Sequence, residues 1–250
     1  MENQTEEKVI SENNEIEINE KQKIKISKEF IIEQIKRYLC LLFGLIIISF
    51  GVAFTIKAQL GTSPVSATPY VLSLAYPKLT VGIWTIIVNS IILLIQIAIL
   101  RKKFKIIQLL QVPAVIIFGF LIDFANFCMK SLVVEQYWAK WLFCLLGILI
   151  IGVGVSFEVS AGVLTLPVEG LANTLTKVIP LKFGYLKVIC DVTLVTIAII
   201  ISFSATGKLQ GVREGTIVAA IFVGILVKFF MKGIKPMVEK FFNPNNKKIE

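Results

Sequence analysis

Residues 60–65 read LGTSPV, and they interrupt what would otherwise be the end of a simple membrane-spanning helix. About twenty apolar residues precede this segment, which is the length that crosses a bilayer. The chain then continues as PVSATPYVLSLAYP, which is apolar but too short to cross again. A second stretch, VLTLPV at residues 163–168, contains the same Pro-Val pair. The fold has to accommodate this break twice.

The composition places the chain in the membrane. Of its 250 residues, 56% are hydrophobic and 17% are charged, whereas soluble domains contain about 25% charged residues. Apolar runs of spanning length predict an all-α, polytopic membrane protein. We expect six spans, at residues 38–57, 80–100, 107–129, 138–160, 184–204 and 213–232.

Two short apolar segments lie between these spans, at residues 64–76 and 167–179. Each would form a helix of about 20 Å at 1.5 Å per residue, which is less than the hydrocarbon thickness of about 30 Å. Each begins with proline, a residue that suits the first turn of a helix. Each short helix is therefore re-entrant or interfacial, and the sequence leaves both possibilities open.

The two halves of the chain repeat each other. An offset of 103 residues aligns residues 44–77 with residues 147–180 without a gap. Each copy holds one span, one broken segment and two further spans. Three crossings is an odd number, so the second copy has to enter the membrane from the opposite face, as in inverted-repeat transporters. The matched pairs include Gly44/Gly147, Gly51/Gly154, Thr62/Thr165, Pro64/Pro167 and Pro77/Pro180.

The charge pattern predicts the orientation and the division of the chain. The formal net charge is +9, and most cations flank apolar spans, where they set topology and contact anionic lipid head groups. Positive-inside counting puts both termini in the cytoplasm. We expect a disordered acidic tail with a basic juxtamembrane segment (1–37), repeat one (38–129), repeat two (138–232) and a basic cytoplasmic tail (233–250). No nucleic-acid motif is present.

Several motifs resemble a known family. They are LGTSPV with Pro69 and Tyr70, RKKFK followed by QLLQ at residues 108–111, FGFLID at 118–123 and GVREGT at 211–216. These stretches are similar to the YczE/YyaS/YitT-type integral membrane proteins of bacteria, over about residues 38–232. The resemblance implies a multi-pass protein of the bacterial plasma membrane. It implies no substrate and no catalytic residue.

The candidate substrate-binding residues come from the broken segments and from polar positions inside spans. An ionised group inside a span costs about 2.5–3.5 kcal/mol on insertion scales, so it is a functional candidate. Asp191 also aligns with Asn89 in the other repeat, although Lys187 one turn earlier could neutralise it. Helix packing is the alternative role for this polar pair. The predicted set is Thr62, Pro64, Asn89, Thr165, Pro167, Glu169, Asn173 and Asp191.

The remaining polar groups favour structural or interfacial roles. Asp123 and Asn126 share a helix face near the outer end of span three, where solvation at the interface is expected. The chain contains no histidine, which excludes Ser-His catalysis and histidine metal sites. We expect no enzyme activity, no cofactor and no metal site. Of the four cysteines, Cys128 is predicted to be accessible from outside and Cys40 from the cytoplasm.

Two functions remain open from the sequence. The first is a secondary transporter or channel for a small solute, because inverted repeats with matched broken segments are typical of such proteins. The second is a non-transporting membrane regulator or scaffold that works through the acidic tail and basic loops. The expected partners are the lipid bilayer, anionic lipid head groups and an unidentified small solute. The oligomeric state is not encoded in any pattern we found.

Overall fold

A computed structural model describes the backbone of residues 2–101, 104 and 106–242, and the side chains of residues 30–101, 104 and 108–242. This part of the chain is entirely helical, apart from its connections. The helices are α1 (Glu2–Ala58), α2 (Pro64–Ala75), α3 (Val81–Leu100), α4 (Gln111–Cys128), α5 (Tyr137–Ala161), α6 (Pro167–Leu175), α7 (Phe183–Thr206) and α8 (Glu214–Phe242), with a 3-10 helix at Ile106–Leu110 before α4.

Six of the described helices are long and apolar enough to cross a membrane. They include the part of α1 from Phe30 onward, α3, α4 with the preceding 3-10 turn, α5, α7 and α8. All six predicted spans are confirmed, with boundaries that differ most at the two chain ends. Large apolar side chains such as Ile217, Ile221 and Phe229 on α8 are exposed on the protein surface, so the bundle contacts the lipid bilayer directly.

Both chain ends are more helical than the sequence predicts. The backbone of residues 2–37 continues α1, whereas we expected a disordered acidic tail followed by a basic juxtamembrane segment. This stretch contains no Gly or Pro and is rich in the helix formers Glu and Lys. The side chains of residues 1–29, like residues 243–250, lie outside the described part of the chain. At the other end α8 continues past residue 232 to Phe242, where we expected a basic tail.

Burial explains the longer α8. Val238 and Phe242 pack in the main apolar cluster with residues of α1, α4 and α5. The guanidinium carbon of Arg37 lies 4.7 Å from the centre of the Phe242 ring, and Lys36 Nζ donates to the carbonyl oxygen of Phe241 at 3.1 Å. The end of α8 is therefore attached to the start of the first span, and both lie on the same side of the bundle.

Glycines bring α1 and α5 into close contact. A methyl group on Gly44 would lie 2.9 Å from the carbonyl oxygen of Gly154, and one on Gly51 would lie 2.9 Å from that of Gly147. The residue numbers of the contacting glycines rise along α1 as they fall along α5, so the two helices are antiparallel. Small residues permit this approach of two backbones in a membrane, and α1–α5 is the most extensive helix pair in the described bundle.

Candidate functional site

The chain turns back on itself after α1, so that α2 starts beside the last turns of that helix. Gln59 (φ 56°) and Gly61 (φ 96°) adopt left-handed conformations that reverse the backbone. The Thr62 hydroxyl then hydrogen-bonds the Thr55 hydroxyl at 2.8 Å, and both residues are buried. Pro64 follows at the start of α2, whose buried residues pack against α7, α3 and α8.

The chain makes the same return after α5. Gly162 caps this helix in the left-handed conformation (φ 65°), and Glu158 Oε1 accepts a hydrogen bond from the backbone N–H of Leu166 at 2.9 Å. Glu158 therefore bonds the returning segment in this turn, as Thr55 does in the first turn. The difference is that a carboxyl group, only 2% exposed, now lies one turn from the end of a membrane-spanning helix.

A charged network surrounds the short helix α6. Lys187 Nζ lies 3.3 Å from Glu169 Oε1 and 2.7 Å from Asp191 Oδ1, which confirms the predicted pairing along α7. Two carboxylates thus share one ammonium group. In a medium of low dielectric constant such an imbalance interacts strongly with any nearby charge.

Two buried carboxamides lie on the other side of α6. Gln96 Nε2 donates to the carbonyl oxygen of Pro167 at 2.9 Å. A methyl group placed on Gly170 would lie 2.8 Å from Gln96 Oε1 and 3.0 Å from Gln111 Nε2. The ends of both glutamines therefore meet over Gly170. The sequence predictions missed Gln96 and Gln111 because they weighed charged groups in spans, and an amide in an apolar helix is a weaker signal of the same kind.

The predicted site residues separate into two groups in the structure. Pro167, Glu169 and Asp191 lie together around α6, and Asn89 is buried on the face of α3 that also carries Gln96. Thr62 and Pro64 lie at the other return turn. Thr165 is partly buried, and Asn173 is exposed. Their roles in binding stay predictions.

The two broken helices nevertheless approach each other at their N-terminal ends. Val65 of α2 and Val168 of α6 belong to one apolar cluster, together with Val88 and Ile92 of α3 and Leu194 of α7. Thr68 of α2 also donates a hydrogen bond from Oγ1 to the carbonyl oxygen of Leu194 at 2.8 Å. The middle of the bundle is therefore apolar, with one return turn on each side of it.

Two of the motifs that carry the family resemblance, LGTSPV and GVREGT, are in contact in the structure. The backbone N–H of Gly215, in GVREGT, donates to the carbonyl oxygen of Leu60, in LGTSPV, at 2.8 Å. Gly61 lies against Thr216 and Arg213, where a side chain would not fit. A cavity of about 300 Å³ adjoins this contact, and its lining residues are Gln59, Gly61, Tyr70, Leu74, Leu209, Gln210, Gly211 and Arg213.

A family model for a family of unknown function, DUF6198, matches residues 35–232. The chain belongs to this family. Its membership agrees with the resemblance carried by the motifs, and the matched region begins just before the first span and includes both return turns.

Two proteins of Bacillus subtilis (strain 168) are similar to this DUF6198 chain. An uncharacterized membrane protein, YczE, is 33% identical over 187 residues, which cover 74% of this chain and 81% of that protein. An uncharacterized protein, YyaS, is 29% identical over 206 residues, which cover 82% and 95% respectively. No solved structure matches the chain.

Proposed function

We propose that this protein is a secondary transporter or channel for a small solute in the bacterial plasma membrane, with both termini in the cytoplasm. The observation that carries the proposal is the set of polar groups around α6. Glu158, Gln96 and Gln111 are buried between spanning helices, and Glu169 interacts with Lys187 nearby. Polar groups at membrane depth are costly and are typical of solute or ion pathways, and broken helices supply such groups with a protein-lined environment.

An inverted repeat is part of this proposal. Three observations support it. The return turns at Gln59 and Gly162 are 103 residues apart and share a left-handed conformation. Thr55 and Glu158, also 103 residues apart, hydrogen-bond the returning segments, and the α1–α5 glycine contacts pair equivalent residues in opposite order. Exchanging the two repeats also converts the α2–α7 contact into the α6–α3 contact, and both contacts are present. Such repeats permit alternating access, in which one half moves against the other.

Reconstitution tests transport directly. Purified protein in liposomes is exposed to imposed ion and pH gradients with a panel of labelled amines, amino acids, nucleosides and inorganic ions. We expect flux of at least one solute, and at least about a tenfold loss of flux in Asp191→Asn, which removes a charge from the site, and in Glu158→Gln, which removes a buried carboxyl group that can exchange a proton. Glu239→Gln is the matched control, because Glu239 is exposed and lies on α8 away from this network.

One outcome would refute transport: the absence of flux under every gradient with protein shown to be folded. Equal flux in Asp191→Asn, Glu158→Gln and wild type would leave transport standing and refute the role of these two carboxyl groups. The regulator alternative makes a different prediction in cells. Deletion of residues 1–20 would then abolish complementation of a deletion strain, whereas Asp191→Asn would complement fully. Transport predicts the reverse pattern.

A further inference from the structure

The buried groups around Gly170 are arranged to accept hydrogen bonds. Gln96 is fully buried, and its Nε2 already donates to the Pro167 carbonyl oxygen. This bond fixes the amide orientation, because only the nitrogen can donate. Gln96 Oε1 is therefore the free atom, and among the described residues it accepts no hydrogen bond. The second glutamine, Gln111, is 4% exposed, and its Oε1 likewise accepts no hydrogen bond from the described residues. Its Nε2 is the atom that lies at Gly170, so a half-turn of the amide is needed to present Oε1 there.

The same chemistry extends along the neighbouring helices. On α3, Asn89 Nδ2 donates to the Thr85 carbonyl oxygen at 2.9 Å, which leaves the buried Oδ1 without a donor in the described part of the chain. On α6, Glu169 Oε2 and the Thr174 hydroxyl are also buried without a hydrogen-bond partner in the described part of the chain. Buried oxygens in this state are costly unless a donor or a cation reaches them. The site is therefore rich in acceptors.

The charge of the surroundings points the same way. Glu169 and Asp191 contribute two carboxylates to the network, and Lys187 contributes one ammonium group. A positively charged ligand is attracted by this excess of carboxylate, and an anion is repelled. Within the described residues no group of three His, Cys, Asp or Glu side chains could hold a metal ion. Carbonyl oxygens of this kind can replace the hydration shell of a monovalent cation or accept hydrogen bonds from an organic ammonium group.

We propose that the junction of α3, α4 and α6 at Gly170 binds a small monovalent cation, which the free oxygen of Gln96 coordinates, joined by that of Gln111 after a half-turn of its amide, and which the carboxylate of Glu169 attracts. The ligand is either an inorganic ion or a protonated amine, since both present positive charge to carbonyl oxygens. Gly170 is essential to the arrangement because its missing side chain leaves the space in which the two amides meet. This site is that of the proposed transport function, and the inference rests on it.

Ligand-dependent stability tests binding without requiring flux. The thermal unfolding midpoint of the purified full chain is measured against sodium, potassium, ammonium and methylammonium chlorides, with ionic strength held constant by N-methyl-D-glucamine chloride. We expect a saturable rise in the midpoint with at least one of the four. Saturation with sodium or potassium alone identifies an inorganic ion, and saturation with ammonium or methylammonium alone identifies an amine.

Glycine variants provide the matched comparison. Gly170→Ala puts a methyl group against the flexible ends of Gln96 and Gln111, which can shift, so the protein should still fold. We expect its apparent Kd for the cation to rise by about tenfold or more. The isosteric Glu169→Gln should raise the Kd by a similar factor, because it removes a charge-assisted contact. Gly224→Ala meets nothing within 4 Å and should bind as wild type does.

The inference is overturned if none of the four cations raises the midpoint saturably, or if Gly170→Ala and Glu169→Gln bind like wild type. It fails separately from transport. Saturable binding without flux in liposomes would leave the cation site standing and refute the transporter. Flux that persists in Gly170→Ala with no saturable cation effect would leave the transporter standing and refute this site.

Discussion

The Asp123 carboxylate, on α4, caps the start of a different helix, α3. Its Oδ2 accepts a hydrogen bond from Thr80 Oγ1 at 2.6 Å, and its Oδ1 accepts one from the backbone N–H of Gly82 at 2.8 Å. These groups lie at the start of α3, where the first N–H groups have no partner within the helix. We expected Asp123 to be solvated at the interface; it is partly exposed there and in addition caps α3. A cap supplied by a different helix leaves no local sequence pattern.

This role predicts a graded effect of substitution at residue 123. Asp123→Ala removes both acceptors and should lower the free energy of unfolding by about 2 kcal/mol, the usual value for hydrogen bonds to a charged group. Asp123→Asn keeps one oxygen for the Gly82 N–H and should lose less than half of that. Equilibrium unfolding of purified protein in detergent measures both. Equal losses in the two variants would contradict the capping role.

At the scale of elements, the sequence predicts positions better than contacts. The starts of α2 and α6 were predictable because proline and short apolar length mark them, and both begin where expected, at Pro64 and Pro167. The burial of α2 between α3 and α7 was not predictable, because an amphipathic pattern alone does not distinguish a re-entrant helix from an interfacial one. The meeting of Gln96 and Gln111 over Gly170 was also hidden, since it depends on how three separate helices pack.

The α1–α5 crossing gives the prediction that belongs to this scale. A methyl group on Gly51 would lie 2.7 Å from Ile151 Cγ1 and 2.8 Å from the Ile151 backbone nitrogen, and a backbone atom cannot move away cheaply. Gly51→Ala should therefore lower the free energy of unfolding by about 1–3 kcal/mol, the range for overpacked sites. Gly233→Ala, where nothing lies within 4 Å, is the control. A loss in both variants alike would show that helix packing is not the cause.

At the scale of the whole molecule, cross-helix contacts sort the helix ends into two sides. On one side Arg37 Nη1 donates to the carbonyl oxygen of Ala161 at 3.1 Å, and the end of α8 packs beside it. On the other side Arg213 Nη1 donates to the carbonyl oxygen of Gln59, and Lys140 Nζ donates to the Gln59 side chain. The second side carries the sparse cations of the sequence. Positive-inside counting therefore predicts that the first side is cytoplasmic.

Thiol labelling tests this orientation with one native and one introduced cysteine. Cys128 is exposed at the end of α4, whereas Cys40 is only 9% exposed and contacts the Phe157 carbonyl oxygen, so it cannot report as the sequence suggested. In intact cells a membrane-impermeant maleimide should label Cys128. In a Cys128→Ser background, Glu239→Cys, at a position 62% exposed on the side chain, should label only after permeabilisation. Labelling of Glu239→Cys in intact cells, together with no labelling of Cys128 in the wild-type protein, would invert the topology and move the α6 network to the outer half of the membrane.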